Sequence, residues 1–166
     1  GHARVAQATA SALPFPDATF DVATAFDVLQ VLPDAVEARA LSELARVLKP
    51  GGALVVNVAA MPSLRGDHAL LSEEARRYDR RDLRRKLAAA GFTVERLTHT
   101  NATLLPMMTA VRAFQRLRGA RAGTSDIAVP PAPVNAALAA LLRLEARLVR
   151  HVDLPAGSSI LCLARK

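Results

Sequence analysis

The sequence predicts an α/β fold, a doubly wound and mostly parallel sheet with helices packed on it, and three observations carry that expectation. Compact apolar runs short enough for strands alternate along the chain with segments whose apolar residues recur at helical spacing. The runs over 20–25 and 53–58 are nearly continuous in apolar residues, as expected of strands buried on both faces of a parallel sheet. Strand, helix and strand then follow one another with proline and glycine at the junctions, which is the order of a right-handed parallel crossover.

Taken in order, residues 4–8 read as a short strand, after which Pro14 and Pro16 forbid regular structure through Asp17. The strand over 20–25 ends in Ala25-Phe26-Asp27. From Ala35 onward, Leu41, Leu44, Ala45 and Leu48 keep the spacing of a helix with one buried face, and Pro50-Gly51-Gly52 is expected to stop it. Residues 53–58 are β-branched and bounded by glycine, so they form another buried strand. Asp79 is a good N-cap for a helix that turns Leu83 and Leu87 inward, and Gly91 supplies a left-handed C-cap before the alternating run 92–97. Helices are expected over 104–118 and 134–150, the second with Val134, Leu138, Leu141, Leu142 and Leu148 on one stripe, flanking a Gly-, Pro- and Ser-rich mobile loop over 119–133. Residues 158–164 close the chain as a strand.

The 166 residues can bury one core, so a single domain is expected. No run approaches the ~18 uninterrupted apolar residues of a membrane span, and no charged-then-apolar leader is visible, so no membrane insertion and a cytoplasmic location are expected. The single Cys162 lies in an apolar strand, lacks metal-ligand company and reads as inert core. A net charge of +7 could attract polyanions, but the cations are 19 Arg against 3 Lys in an alanine-rich chain with no Trp and one Tyr to stack bases. Specific nucleic-acid binding is not expected. Partners are expected to be a small-molecule acceptor and, at most, a second copy of the chain.

Leu13-Pro14-Phe15-Pro16-Asp17, Phe20-Asp21-Val22-Ala23-Thr24-Ala25 and Leu48-Lys49-Pro50-Gly51-Gly52 resemble, in that order and spacing, the middle of a class I S-adenosylmethionine-dependent methyltransferase of the type 11-like branch. The resemblance continues through Arg76-Arg77-Tyr78, Asp82-Leu83, Ala90-Gly91-Phe92, Asn101, Glu145 and Leu154-Pro155-Ala156-Gly157-Ser158. It implies a Rossmann-like sheet with an antiparallel last strand and S-adenosylmethionine as cofactor. The cofactor would be flanked by Thr9 and Ala10 after one strand and by Ala25, Phe26 and Leu29 after the next. Gln30, Arg77 and Tyr78 would face the acceptor. The chain departs from the family at Thr9, where an acidic residue is usual, and at Gln30 and Val31, where histidine is frequent; a hydroxyl holds an amino group less strongly than a carboxylate does.

The sulfonium already activates the transferred methyl group, so such a site mainly aligns the acceptor with it. A general base is needed only where the acceptor proton is hard to lose. His68, in Gly66-Asp67-His68 beyond the strand over 53–58, is the candidate base; read plainly, it is a surface-loop histidine. Arg80, Arg81, Arg84 and Arg85 read as a solvated helix face. Glu145 falls among apolar helix positions, where an unpaired carboxylate would be costly, so an ion pair to Arg76 or Arg77 is expected.

The chain shows no G-x-G-x-G turn after a strand. The family's first two strands are therefore expected to be absent, on the order of 60–80 residues at roughly 30 per strand–helix–strand unit. The strand over 20–25 would then expose an edge, and the chain alone would bind S-adenosylmethionine poorly or not at all. Two functions fit: the C-terminal part of a methyltransferase acting on a small-molecule acceptor, or a catalytically inactive methyltransferase-like binding or assembly module.

Overall fold

A computed structural model describes residues 5–61, 75–110 and 131–166. Their strands are β1 (Phe20–Phe26), β2 (Leu48–Ala59), β3 (Thr93–Thr100) and β4 (Ser159–Arg165); their long helices are α1 (Asp34–Val47), α2 (Arg80–Ala89) and α3 (Ala132–Val149). The strands form one sheet in the order β1-β2-β4-β3, with β1 and β2 parallel and β4 antiparallel to both its neighbours. The expected α/β sheet with an antiparallel last strand is present.

One face of the sheet holds the core. Leu54, Val56 and Val58 of β2 and Ile160, Cys162 and Ala164 of β4 are buried and cluster with Leu41 of α1 and Leu83 and Leu87 of α2. Burying a Leu, Ile or Val side chain stabilises by about 1.5–3 kcal/mol, so this two-layer contact is the main source of stability. Cys162 belongs to it, and burial, opposed by Arg84, pushes its thiol up to about 11.

The opposite face is differently covered. Strand pairing places Val22, Thr24 and Phe26 of β1 beside Ala53, Val55 and Asn57 of β2, and Val55 and Asn57 beside Leu163 and Leu161 of β4. Near β3 this face is closed: Arg96 donates to the Val149 carbonyl at the end of α3, and the Leu154 N–H donates to Thr98 Oγ1 at 2.9 Å. At β1 it is open, with Val22 56% and Phe26 55% exposed. The expectation of a strand buried on both faces therefore fails for β1. It has β2 on one side and, among the described residues, no strand on the other.

Other expectations shift for local reasons. Residues 5–8 are exposed and irregular instead of forming a strand, since no described neighbour offers them a ladder. Helix α1 ends at Val47, where the Leu48 N–H still bonds the Leu44 carbonyl, so Pro50-Gly51-Gly52 does not stop it. Those residues form an excursion within β2: Phe20 pairs with Leu48 but Val22 with Ala53, and Gly51 takes φ +75° in the excess backbone. Asp79 caps α2 as expected, its Oδ1 accepting from the Arg81 and Asp82 N–H groups at 2.8 Å each, and Gly91 follows the helix at φ +88°. Residues 105–110 are helical; 111–118 and most of the expected loop 119–133 lie outside the described residues. Helix α3 begins at Ala132, with Pro133 in its first turn where a missing N–H costs nothing. Its expected apolar stripe is not buried: Val134, Leu141 and Leu148 are exposed, and the buried positions are Glu145 and Val149.

Candidate functional site

β3 runs in the same direction as β1 and β2, and the three strands share one carboxyl-end edge. A left-handed residue that is not glycine lies just beyond each: Asp27 (φ 57°) after β1, Met61 (φ 57°) after β2 and Asn101 (φ 58°) after β3. Such conformations are uncommon outside glycine, most tolerable for Asp and Asn, and concentrate where a chain must turn sharply to present a site. In open α/β sheets ligands bind at this edge.

The edge is rigidly laced. The Asp27 N–H bonds the Asn57 carbonyl at 2.9 Å, and Asn57 Nδ2 reaches the Asp27 carboxylate at 3.3 and 3.4 Å. Gln30, in a single 3-10 turn over Leu29–Val31, is buried; its Oε1 accepts from the Ala59 N–H at 2.5 Å and its carbonyl from the Ala75 N–H at 2.9 Å. Arg77 donates to the Ala60 carbonyl at 3.1 Å, and the Tyr78 N–H to that of Ala59 at 2.9 Å. One glutamine thus joins the turn after β1, the end of β2 and the approach to α2.

Among the cofactor-facing candidates, Thr9 is exposed with its hydroxyl 3.1 Å from that of Ser11, Ala10 is half-buried, Ala25 is buried, Phe26 is exposed, and Leu29 is buried in the core, so only its main chain can face a ligand. Of the acceptor-facing candidates, Gln30 is engaged as described. Tyr78 points into the protein, its hydroxyl donating to Glu37 Oε1 at 2.7 Å. Burial, reinforced by the Glu37 carboxylate, pushes its pKa well above the usual phenol value, so it stays protonated. His68 lies outside the described residues.

Sequence reasoning missed Glu37. It is 1% exposed and bound to Arg76, to Lys86 Nζ at 2.5 Å and to the Tyr78 hydroxyl, with Asp34 adding a second carboxylate 2.8 Å from Arg76. The signal was present: Glu37 precedes Ala40, Leu41 and Leu44 by three, four and seven, which places a carboxylate on the inward stripe of α1. Arg76 is thereby committed to Glu37, and the expected pairing with Glu145 does not form. Glu145 instead accepts from the Thr103 N–H at 2.8 Å and the Thr103 hydroxyl at 2.7 Å. Burial alone would raise its pKa, but these bonds, with others from the Asn101 and Ala102 main chain, outweigh burial and hold the carboxyl below its ordinary range.

That pairing fixes the segment between β3 and β4. It leaves the sheet at Asn101 and returns at Ser158, and the two ends touch: Asn101 Nδ2 is 3.3 Å from Ser159 Oγ, and the Ala60 N–H bonds the Ser158 carbonyl at 2.8 Å. Gly157 lies so close to Thr100 that a Cβ there would be driven into the Thr100 carbonyl. The segment therefore has a narrow neck at the strand-end edge. A separate cleft of about 470 Å³ lies between α1 and α2, beside Leu41, Ser42, Arg85 and Lys86. Its polar groups are already engaged, Lys86 with Glu37, Arg85 with Asp82 and the Ser42 hydroxyl with the Ala38 carbonyl.

Residues 1–56 match the family described as Methyltransferase domain. Over 56 residues the chain is 48% identical to the ubiquinone/menaquinone biosynthesis C-methyltransferase UbiE of Marinomonas sp. (strain MWYL1), a match covering 34% of this chain and 22% of that protein. Among solved structures, the [4+2]-cyclase SpnF is 26% identical with TM-score 0.55, over 97% of this chain and 54% of that one. A putative methyltransferase from Bacillus halodurans C-125 is 20% identical with TM-score 0.55, over 98% and 76%. The chain spans about a fifth of the length of the curated relative and about half of the cyclase.

Proposed function

We propose that the chain, whose residues 1–56 match the family described as Methyltransferase domain, is the C-terminal part of a class I S-adenosylmethionine-dependent methyltransferase acting on a small-molecule acceptor. The observation that carries this reading is the shared edge where Asp27, Met61 and Asn101 end three co-directional strands.

S-adenosylmethionine, the cofactor of this family, supplies an activated methyl group. The residues present fit one side of it. Phe26 offers an exposed aromatic face, Ala25 leaves room at the strand end, and the main chain from Asp27 to Leu29 is held in place by Asn57 and by the core packing of Leu29. Thr9 offers a hydroxyl for a polar edge of the ligand. Among the described residues no group is placed to fix its amino-acid and ribose ends, so these residues form one wall of the pocket. Gln30 and Arg77 act by setting the end of β2 and the approach to α2 against that wall. His68 is the proposed base for an acceptor that must lose a proton.

Titrating S-adenosylmethionine to millimolar concentration into the isotopically labelled chain tests this by NMR. Weak shifts confined to residues 9–10 and 25–29 are the expected result. Shifts centred on the α1/α2 cleft would overturn the assignment. The second reading, an inactive methyltransferase-like module, is favoured by the open face at Val22 and Phe26.

A further inference from the structure

Helix α3 carries two apolar stripes side by side. Leu138, Leu142, Glu145 and Val149, spaced four, three and four, face the protein: the leucines are half-buried, and Glu145 and Val149 are buried. The second stripe runs through Val134, Leu141, Leu144 and Leu148 to Val152 just beyond the helix, and all five are at least 36% exposed, Leu144 63%. At about 100° per residue its four helical members fall within one sector of about 80°, and they extend along roughly 20 Å of the helix. Single exposed leucines need no explanation, whereas a contiguous apolar stripe marks a contact.

The charges around the stripe indicate what it meets. Between Pro131 and Val152 the only acidic residue is Glu145, and it is turned inward onto Thr103. The next acid, Asp153, is held by Arg96 at 2.8 Å. Every exposed charge on α3 is therefore an arginine: Arg143 and Arg147 lie about a third of a turn to one side of the stripe, and Arg150 follows at the end of the helix.

We infer that α3 docks on an anionic lipid surface, lying in the plane of the bilayer with Leu141, Leu144, Leu148 and Val152 in the outer acyl region and Arg143 and Arg147 at the phosphates. An apolar face bordered by arginine, with no exposed acid to repel the headgroups, is the composition of an interfacial helix, and arginine stems are long enough to reach headgroups from such a position. The contact is peripheral, since no described helix is long and apolar enough to cross a membrane. A second copy of the chain fits less well, because pairing two such stripes gathers arginines from both helices with no exposed acid on either to offset them. An acidic partner helix matches the charge, but helix recognition uses a groove between elements, and these five residues all belong to one helix and its end.

The test mixes the full chain with vesicles of phosphatidylcholine alone and of phosphatidylcholine and phosphatidylglycerol in equal parts, and reads flotation. The chain contains no tryptophan, so Leu144→Trp adds a single fluorophore within the stripe. The expected result is flotation with the anionic vesicles only, weakened by salt, with tryptophan emission that shifts to the blue and is quenched by lipids brominated in the acyl chain. Leu144→Ser, at a solvent-facing position, should leave the chain folded by circular dichroism and lower partitioning about tenfold. Arg143→Gln with Arg147→Gln should lower it about tenfold as well. Arg81→Gln with Arg84→Gln, which removes the same charge from exposed positions on α2, should leave it unchanged. Absence of flotation, flotation that Leu144→Ser does not weaken, or equal weakening by the α2 pair, as general attraction by the +7 charge would give, overturns the inference. So does dimerisation through Leu144, or binding of a glutamate-rich amphipathic peptide there, in place of vesicle binding.

Discussion

The Tyr78 hydroxyl donates to Glu37 Oε1 at 2.7 Å where both side chains are buried, tying the approach to α2 to the first turn of α1. Arg76 and Lys86 converge on the same carboxylate, so a negative charge is held in the interior by two cations and a hydroxyl. Removing one member of such a cluster leaves the others buried without compensation.

Glu37→Leu should therefore destabilise the chain by about 3–5 kcal/mol, as measured by urea unfolding, because Arg76 and Lys86 lose their buried partner and keep only the more exposed Asp34 and Asp82. Glu37→Gln should cost less, since an amide oxygen can still accept from Tyr78.

Glu145→Ala should cost about 1–3 kcal/mol, the usual penalty for a buried N–H and hydroxyl left unpaired at Thr103. Hydrogen exchange should locate the loss at residues 101–103 and in α3, with β1 and β2 unchanged. Equal loosening across the whole sheet would contradict the local role.

Glu43 gives the chain an acid-sensitive brace. The Arg46 guanidinium, with the Leu13 N–H, pulls its pKa from 4.5 down to about 2. A depressed carboxyl pKa contributes stability that is present above the unfolded value and is lost as the proton goes on. Stability should thus decline as pH falls from about 4.5 toward 2, and Glu43→Gln should flatten that part of the profile. Unfolding midpoints across this range check it.

Cys162 should resist thiol reagents at neutral pH. A buried thiol with its pKa near 11 has almost no thiolate to offer, so modification should proceed only as fast as the chain opens and become immediate in denaturant. Rapid labelling of the native protein would show that β4 is more open than its packing indicates.

Gly157→Ala should destabilise by about 1–3 kcal/mol, since the added methyl meets the Thr100 main chain, which cannot yield without moving β3. Thermal unfolding measures the loss.

Much of the architecture was legible because it follows from local rules. Apolar runs bounded by glycine gave β2, Asp79 announced the start of α2, and Gly91 its end. The exposure of β1 could not be read from periodicity, because an apolar run predicts burial whatever lies beside the strand; only the missing glycine turn pointed to an edge. The stripe on α3 misled for the same reason. Its spacing fixes a helix but does not say which face meets the sheet, and the face that does carries Glu145 and Val149.

At the site, Gln30 and Tyr78 were picked out by position, and their partners came from three-dimensional convergence that one sequence does not encode. Glu37 could have been found. A carboxylate on an inward helical stripe requires a partner, and Arg76, Tyr78 and Lys86 were all candidates within the next fifty residues.

The neck formed by Asn101, Thr100, Gly157 and Ser159 has a consequence for how such proteins diversify. Because the chain leaves and re-enters the sheet at paired positions, the length of what hangs between does not set the register of β3 against β4, provided that Glu145 still meets Thr103 and Leu154 still meets Thr98. Variation is thus tolerable between those anchors and costly at them.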